Sequence, residues 1–419
     1  MEERVCAEAE LVPQGHGLMG ESRPNEASGA LQGIRVLALE ASVSGPHCTR
    51  ILADMGAEVI KVEKPGSGDL IRAWDSVVKG LSSGYVWLNG NKRSFAIDMK
   101  KPAGLEVMRR LADRSDVLLE NFAPGVADRL GLGATELCAR NPRLIYCSVS
   151  GYGQDGPYRD VKAYDLLIQG EAGIIATTGY PDRPAKVGVP ITDLASSMYA
   201  AVGILLALYQ RERTGRGQVI DISMFESALA WLGYFPHHYW HQGEEPERVG
   251  MRHHYIVPYG PYMAGDGVYV SLAVATPHDW DVFCRNVAQR SEWLQDARFR
   301  TAPDRRKNRG VLEESVEKLF LEQPHDEWMR RLRDAELPHG RLNGIGEVLA
   351  HPQAIARKMI REIESPVGKV PIMGSPLRLS ESPVRFDAIP SLGQDTDPIL
   401  RELGYNAAEI DHLRRDQII

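Results

Sequence analysis

The first half of the chain alternates short apolar runs with segments of helical periodicity. The apolar run at 34–39 predicts a strand, and the next at 59–62 predicts another. Between them, the apolar positions from Cys48 to Met55 recur at i, i+3, i+4 and i+7, which is typical of an amphipathic helix. This strand–helix–strand unit predicts an α/β fold with a parallel sheet of Rossmann type.

The same alternation continues as far as residue 232. The apolar positions of 105–112 mark one face of a further helix. Three more apolar runs predict strands, at 117–119, 144–149 and 219–224, and the last of them leads into a helix at 226–232.

The pattern changes near Phe235, where an aromatic and histidine-rich stretch begins. Asp266-Gly267 before the apolar run 268–272 predicts a hairpin, and helical patterns occupy 278–337. The remainder returns to Pro/Gly-rich loops with short strands and a short helix around 397–403. We therefore predict four segments: a disordered tail (1–30), the N-terminal part of a large Rossmann-like domain (31–235), a smaller α+β domain (236–345) and a C-terminal segment that rejoins the large domain (346–419).

A single carboxylate precedes the most apolar segment of the chain. A Pro-rich loop ends at Asp193, and the apolar segment 194–209 follows at once. Its most apolar part, 198–208, is shorter than the ~20 residues of a membrane span, so we predict a buried helix. An anion at a helix N-terminus is favoured by the helix dipole, and a poorly solvated carboxylate can act as a nucleophile. A simple N-cap is the structural alternative for Asp193.

Composition narrows the function classes. With 419 residues, 43% of them hydrophobic, the chain can bury a sizeable core. A net charge of −7 argues against a nucleic-acid partner. The five cysteines are scattered without C-x-x-C spacing, and residues 1–30 lack the apolar core of a signal peptide. We therefore expect a cytoplasmic protein.

Several common site motifs are missing from the sequence. The turn after the first strand, at 41–46, lacks the G-x-G-x-x-G dinucleotide fingerprint, and no P-loop or G-x-S-x-G elbow is present. His237 and His241 stand four residues apart, but Pro236 is expected to disrupt a helix there and no carboxylate follows at ligand spacing. The sequence therefore predicts no metal site.

A set of motifs in fixed order identifies a family. Their combined order and spacing resemble the family III CoA transferases over residues 31–419, nearly the whole chain. The motifs are Ser-Gly-Pro at 44–46, Leu-Ala-Asp-Met-Gly-Ala-Glu-Val-Ile-Lys-Val-Glu at 52–63, Gly-Asp at 68–69, Asn-Lys-Arg-Ser at 91–94 with Asp98, Glu-Asn-Phe at 120–122, Gly-Tyr-Gly-Gln-Asp-Gly-Pro-Tyr at 151–158, Tyr-Asp at 164–165, Thr-Gly-Arg-Gly-Gln at 214–218, and Leu-Gly at 392–393 and 403–404.

The resemblance implies both an assembly and a reaction. It implies an interlocked, ring-like homodimer with a large Rossmann-like domain built from both chain ends. Asp193 falls at the family's catalytic aspartate, which attacks an acyl-CoA and carries CoA as an aspartyl thioester to a carboxylic acid. Acyl-CoA and a small acid are then the partners, no cofactor is permanently bound, and neither nucleic acid nor a membrane is involved.

The resemblance also assigns binding residues. The basic residues expected near the CoA phosphates are Lys64, Lys100, Arg129 and Lys162. The residues expected to contact its adenine and pantetheine are Ile97, Asn121, Phe122 and Leu130. The expected substrate pocket comprises Val43, Trp74, Tyr164, Asp165, Tyr259 and Gly260. A second carboxylate of the substrate is expected at Arg72, His253 or His254.

Two features indicate the substrate class. The formyl-CoA branch of the family carries a Gln at the position of Val43 and a glycine run in its small domain, whereas Pro258–Tyr262 has one glycine here. These departures favour a larger, partly apolar acid over oxalate or formate. The hypothesis is a donor such as succinyl-CoA and a dicarboxylic or hydroxy acid as acceptor.

Two other readings of the family stay open. The α-methylacyl-CoA racemases need a His immediately before the Asp of the Tyr164-Asp165 pair. An unperturbed Tyr, with a pKa near 10, is a poor base at neutral pH, so a transferase is favoured. A catalytically inactive partner subunit is the other alternative, and retention of Asp193 counts against it.

Overall fold

A computed structural model describes residues 29–419 of the chain. Most of the predicted tail, residues 1–28, therefore lies outside the described residues, while Gly29 is buried. The strands are β1 Arg35–Leu39, β2 Glu58–Glu63, β3 Lys92–Ala96, β4 Val117–Glu120, β5 Ile145–Ser150, β6 Gly179–Tyr180, β7 Arg183–Pro184, β8 Val219–Ser223, β9 Tyr259–Met263, β10 Tyr269–Ala273, β11 His339–Arg341, β12 Ile360–Ile363 and β13 Val370–Met373.

Six of these strands form one parallel sheet in the order β3-β2-β1-β4-β5-β8. This order is that of the doubly wound Rossmann arrangement, in which the strands are added outward in one direction from β1 and then in the opposite direction from β4. The predicted α/β class with a parallel sheet is confirmed. Strand β3 was not predicted, because its sequence Lys-Arg-Ser-Phe-Ala has no apolar run.

Helices cover both faces of this sheet and build the rest of the chain. They are α1 Ser44–Asp54, α2 Ser83–Leu88, α3 Pro102–Asp113, α4 Val126–Arg129, α5 Ala134–Arg140, α6 Asp165–Glu171, α7 Ile174–Thr177, α8 Ile191–Thr214, α9 Met224–Ala230, α10 Phe235–Gln242, α11 Pro277–Val282, α12 Ala302–Lys307, α13 Arg309–Phe320, α14 His325–Asp334, α15 Ile345–Leu349, α16 Pro352–Ala356, α17 Thr396–Glu402 and α18 Ala407–Arg415.

Alternate residues of the central strands enter two different cores, because successive side chains of a strand point to opposite faces. Leu37 and Leu39 of β1 pack in a cluster that also contains side chains of α3, α17 and α18. Val36 and Ala38 pack on the other face with side chains of α1 and α8. The chain's last helices thus complete a core begun by its first strand.

A separate core lies between Val257 and Leu337. Strands β9 and β10 form the predicted hairpin, and β11 pairs with β10 in the same antiparallel sheet. Helices α11, α13 and α14 supply further buried residues of this core, including Trp280, Phe320 and Trp328. The helical pattern predicted for 278–337 is therefore confirmed, while the domain boundaries themselves stay a prediction.

Three local expectations were wrong. The long apolar helix α8 begins at Ile191 and not at Leu194, so Asp193 lies within its first turn. Pro236 does not disrupt a helix, because it stands in the first turn of α10, where a proline costs no hydrogen bond. The C-terminal helix α18 was missed, although Asn406 and Glu409 form a capping box at its start.

Candidate active site

The carboxyl ends of β1 and β4 lie side by side where the strand order of the sheet reverses. Open α/β proteins bind ligands at this point. Asn121, directly after β4, fixes the loop after β1. Its Oδ1 accepts the Ala41 N–H at 2.9 Å, and its Nδ2 donates to the Ala41 carbonyl at 2.8 Å and to Ser44 Oγ at 3.2 Å. The Asn121 amide therefore shapes this loop, and its expected contact with CoA stays a prediction.

Buried charges support the same loop from below. Lys61 Nζ, which is fully buried, donates to Asp69 Oδ2 at 2.8 Å, and Asp69 Oδ1 accepts the Ser42 N–H at 3.1 Å. Ser42 has a φ of 65°, a conformation that is costly for a residue with a side chain. Lys92 pairs with the buried Glu40 at 2.8 Å, and burial lowers the pKa of Lys92 to about 8 although Glu40 opposes this shift. The sequence analysis did not identify this ion cluster.

Asp193 is a half-buried carboxylate in the first turn of α8. Burial raises the pKa of Asp193 to about 7, and the nearby Asp165 carboxylate contributes in the same direction. The following turns of α8 are packed tightly, with Ala195, Ser196 and Ser197 buried. The carboxyl group thus meets the expectation of a poorly solvated anion at the N-terminus of an apolar helix. Near neutral pH such a group is ionised in about half of the molecules.

Asp165 holds the turn that carries Asp193. Its Oδ1 accepts hydrogen bonds from both the backbone N–H and the hydroxyl of Thr192, each at 2.9 Å. Because Thr192 is the second residue of α8, the Asp165 carboxylate satisfies one of the N–H groups that a helix leaves free at its start. Asp165 was predicted to line the substrate pocket, and the structure gives it this positioning contact beside Asp193.

The four basic residues predicted for CoA binding are all exposed. Within residues 29–419, none of them forms an ion pair. They lie on segments that follow the carboxyl ends of β2, β3, β4 and β5. These strands lie on both sides of the point where β1 and β4 are neighbours in the sheet. These residues are Lys64, Lys100, Arg129 and Lys162.

The apolar residues predicted for CoA binding differ in accessibility. Phe122 and Leu130 are half-buried against the core cluster of β1 and α3. Ile97 lies inside that cluster with 1% of its surface exposed, so its side chain presents no face to a ligand. Phe122 and Leu130 are therefore the accessible apolar residues of this group.

The predicted substrate-pocket residues fall into two groups. Trp74, Tyr164 and Tyr259 are exposed, Tyr164 to 68%, and Gly260 lies next to Tyr259 in strand β9. Val43 has only 3% of its surface exposed and packs with Ile71 and other apolar side chains. Its side chain fills the core below the β1–α1 loop, and its place in the pocket stays a prediction.

The residues expected to receive a second carboxylate are also partly engaged. Arg72 donates from Nε and Nη2 to both oxygens of Glu63, at 2.7 and 2.8 Å, so its guanidinium is already paired. His253 Nδ1 accepts the N–H groups of Tyr255 and Ile256. His254 Nε2, in contrast, is buried and has no hydrogen-bond partner within residues 29–419. Of the three, the structure leaves His254 with an uncommitted polar atom.

Two polar residues near the candidate nucleophile or its sheet edge were missed. Glu120 is buried at the end of β4, and burial raises its pKa to about 7. Gln169 is fully buried and lies one turn after Asp165 in α6. The i, i+4 spacing of Asp165 and Gln169 was the available signal, since such pairs face each other on a helix. Among residues 29–419, no group of three His, Cys, Asp or Glu side chains is placed to hold a metal ion.

Comparisons with known proteins show what this chain is similar to. A sequence model described as CoA-transferase family III matches residues 31–396. The chain is 36% identical over 388 residues to the acetyl-CoA:oxalate CoA-transferase of Acetobacter aceti, covering 92% of this chain and 98% of the relative. It is 36% identical over 394 residues to the succinyl-CoA–D-citramalate CoA-transferase of Chloroflexus aurantiacus, covering 93% and 98%. A crystal structure of a CAIB/BAIF family protein from Brucella suis matches with a TM-score of 0.79 at 35% identity, covering 90% of this chain and 100% of that one.

Proposed function

We propose a mechanism for this chain, which belongs to CoA-transferase family III and is a CoA transferase. In this mechanism Asp193 moves CoA between two carboxylic acids. The donor is succinyl-CoA or a similar dicarboxylic acyl-CoA, and the acceptor is a dicarboxylic or hydroxy acid. The observation that carries the proposal is the half-buried Asp193 carboxylate in the first turn of α8, with its pKa raised to about 7.

The chemistry explains why a carboxylate is suitable. The Asp193 carboxylate attacks the thioester carbonyl of the donor, and the C–S bond breaks. CoA departs as a thiolate, and a mixed anhydride of Asp193 and the donor acid remains. The thiolate then attacks the aspartyl carbonyl of the anhydride, which expels the donor acid and forms an aspartyl-CoA thioester. The acceptor carboxylate attacks that thioester and expels CoA thiolate, which gives a second mixed anhydride between Asp193 and the acceptor acid. The thiolate finally attacks the acceptor's acyl carbonyl and expels the Asp193 carboxylate. The new acyl-CoA is released and Asp193 is again a carboxylate.

The environment of Asp193 suits both nucleophilic attack and protection of the intermediates. A carboxylate with a raised pKa is more basic than an ordinary one, and loss of hydration removes water that must otherwise be displaced before attack. Partial burial also limits hydrolysis of the anhydride. The N-terminus of α8 offers the positive end of the helix dipole to the oxyanions that form at this point.

The site proposed for CoA follows from the sheet. Lys64, Lys100, Arg129 and Lys162 are exposed cations on segments that leave the carboxyl ends of four strands. Cations suit the phosphates of the nucleotide, and the half-buried Phe122 and Leu130 offer apolar contact area for its other parts. The loop shaped by Asn121 lies at the same edge of the sheet.

The substrate proposal rests on the relatives together with the sequence. One relative is named for oxalate and another for D-citramalate, and both acceptors are dicarboxylic acids. The donors in those names are acetyl-CoA and succinyl-CoA. Because both relatives are equally similar to this chain, oxalate belongs in the panel of test acids beside succinate, malate and glutarate. His254, with its uncommitted Nε2, is our candidate contact for the distal carboxylate.

A homodimer is part of the proposal. Helix α8 is long and apolar enough to span a membrane by length and composition, a test that a core helix also passes. One of its faces packs on the sheet, while apolar side chains remain exposed along another, at Met198, Val202, Leu205, Leu206 and Tyr209. We propose that a second copy of the chain, interlocked with the first, covers this surface. A monomer in sedimentation experiments would remove this part of the proposal.

The cytoplasmic location is likewise proposed. Cys48, Cys138, Cys147 and Cys284 are all free thiols in the described part of the chain, as in proteins of reducing compartments. Recovery of the native protein from an oxidising compartment with these thiols linked by disulfides would contradict it.

The transferase reaction is favoured over the two alternatives within the family. A racemase needs a second base beside Asp193, whereas the position before Asp165 is an exposed tyrosine. An inactive subunit has no need for a carboxylate with a raised pKa, and perturbed pKa values cluster at functional sites.

The decisive experiment is intact-protein mass spectrometry after incubation with succinyl-CoA, with and without hydroxylamine. We expect a hydroxylamine-sensitive adduct of CoA or acyl mass that maps to Asp193 and is absent from Asp193→Ala. A panel of other acyl-CoA donors separates a wrong donor from a wrong mechanism. If none of them labels Asp193, covalent catalysis by this residue is refuted.

A further inference from the structure

The side chain of Gln169 occupies a position that links three segments of the site. It has no exposed surface and lies on α6, one turn after Asp165. Its Nε2 donates to Asp165 Oδ2 at 2.8 Å, and its Oε1 accepts the Val187 N–H at 2.9 Å. Both polar ends of the amide are therefore committed, one to a carboxylate and the other to the loop that leads into α8.

The partners of Gln169 lead directly to the proposed nucleophile. Asp165 uses its other oxygen, Oδ1, to hold the N–H and hydroxyl of Thr192, the residue before Asp193. Val187 lies in the loop that returns from the β6–β7 hairpin to Pro190, the N-cap of α8. Pro190 has no side-chain donor or acceptor, and no side chain of its own caps the helix. The start of α8 is thus fixed from outside, through Asp165 and Gln169.

We propose that Gln169 is a positioning residue for the CoA-transfer reaction, acting through Asp165 and the 187–190 loop to hold the catalytic turn. This inference rests on the proposed role of Asp193. An amide is required here because one side chain must both donate and accept. The Asp165 carboxylate needs a hydrogen-bond donor, and the Val187 N–H needs an acceptor. Gln169 fixes the plane of the Asp165 carboxylate, and with it the position of the first turn of α8.

The required polarity makes a specific test possible with Gln169→Glu. A protonated glutamic acid reproduces the native pattern, because its hydroxyl donates to Asp165 and its carbonyl accepts from Val187. An ionised glutamate places a second carboxylate against Asp165 without a donor between them, which is strongly unfavourable in a buried site. The variant is therefore expected to work at low pH and to fail at high pH.

The measurement is the ratio of variant to native exchange activity, as kcat and as KM for succinyl-CoA, from pH 5.5 to pH 8. We expect the kcat ratio to fall by about tenfold or more over this range, with KM changed much less, because the perturbation lies at the catalytic turn. The matched control is Gln295→Glu, which makes the same chemical change at an exposed position outside α6 and α8. Its ratio is expected to stay flat.

A second variant keeps the test decisive if Gln169→Glu fails to fold at neutral pH. In the double variant Asp165→Asn, Gln169→Glu, donor and acceptor are exchanged, so the ionised glutamate present at pH 8 accepts both hydrogen bonds. We expect it to fold and to recover activity relative to Gln169→Glu at pH 8. A pH-independent ratio for a folded Gln169→Glu, or a double variant that recovers neither folding nor activity, would overturn the positioning role.

This outcome is separable from the mechanism itself. If Asp193→Ala keeps full exchange activity, the proposed function of Asp193 fails. The pH-dependent loss of melting temperature in Gln169→Glu, absent from Gln295→Glu, then still reports whether the amide holds the start of α8.

Discussion

The raised pKa of Asp193 has a consequence for stability that can be measured without any substrate. The perturbation is Asp193→Asn, which removes the ionisable group and keeps the shape. Burial and the neighbouring Asp165 raise the pKa of Asp193 to about 7 in the folded chain, against about 3.9 for an unperturbed aspartate. The folded chain therefore holds this proton more tightly than the unfolded chain does.

The sign and size follow from proton linkage. As pH rises from about 4 to 7, the unfolded chain loses this proton first, so the stability contributed by Asp193 falls and stays low above pH 7. A difference of about three pH units corresponds to at most about 4 kcal/mol of unfolding free energy at pH 8, and to about 2 kcal/mol at pH 5.5. An asparagine cannot ionise, so the variant escapes this cost and is expected to be inactive but more stable at pH 8.

The assay is thermal melting of native protein and variant at one fixed protein concentration across this pH range. In a chain of 419 residues, 1 kcal/mol changes the melting temperature by about 1 °C. We expect the advantage of Asp193→Asn to grow by about 1 to 2 °C between pH 5.5 and pH 8. The exposed Asp182→Asn is the control and should show no such growth. An advantage that is equal at both pH values, or absent at both, would refute the reasoning.

Three further predictions address neighbouring parts of the site. Asp165→Asn removes one cause of the raised pKa of Asp193, so the acid limb of the pH–kcat profile should move to lower pH, while an unmoved limb would show that burial alone sets it. Arg129→Ala should raise KM for acyl-CoA with little change in kcat, as measured by initial rates. The control Arg183→Ala, also at an exposed position, should change neither constant. Equal effects of the two substitutions would exclude a contact between Arg129 and a CoA phosphate. Lys61→Met leaves the buried Asp69 carboxylate without its ion-pair partner and should destabilise the fold by about 3 to 5 kcal/mol in chemical denaturation, while a loss below 1 kcal/mol would mean that the cluster does not hold the β1–α1 loop.

Local sequence determined the secondary structure where one pattern was strong. The apolar strands β1, β2, β4, β5 and β8 and the long helix α8 follow from periodicity, because a half-buried or fully buried element requires apolar side chains at fixed spacing. The parallel sheet followed from strand–helix–strand order. Strand β3 escaped this reasoning, since Lys92 and Ser94 are buried through polar partners that lie elsewhere in the chain.

The same limit applies to individual side chains. Arg72 looked available for a substrate carboxylate until the structure paired it with Glu63, and Val43 looked like a pocket residue until it proved to be buried. In both cases the residue type was compatible with either role. The choice depends on which groups the fold brings within contact distance.

The sequence by itself placed Asp193 at the start of an apolar helix and, through ordered motifs, placed the chain among the CoA transferases. Only the tertiary structure showed that Asp165, 27 positions from Thr192 in sequence, holds the turn that carries Asp193, and that Gln169 donates a hydrogen bond to Asp165. Only the tertiary structure raised the pKa of Asp193, through burial and the charge of Asp165. Helix and strand periodicity depends on near neighbours and can be read locally, whereas hydrogen-bond partners, burial and electrostatic fields depend on segments that meet only after the chain has folded.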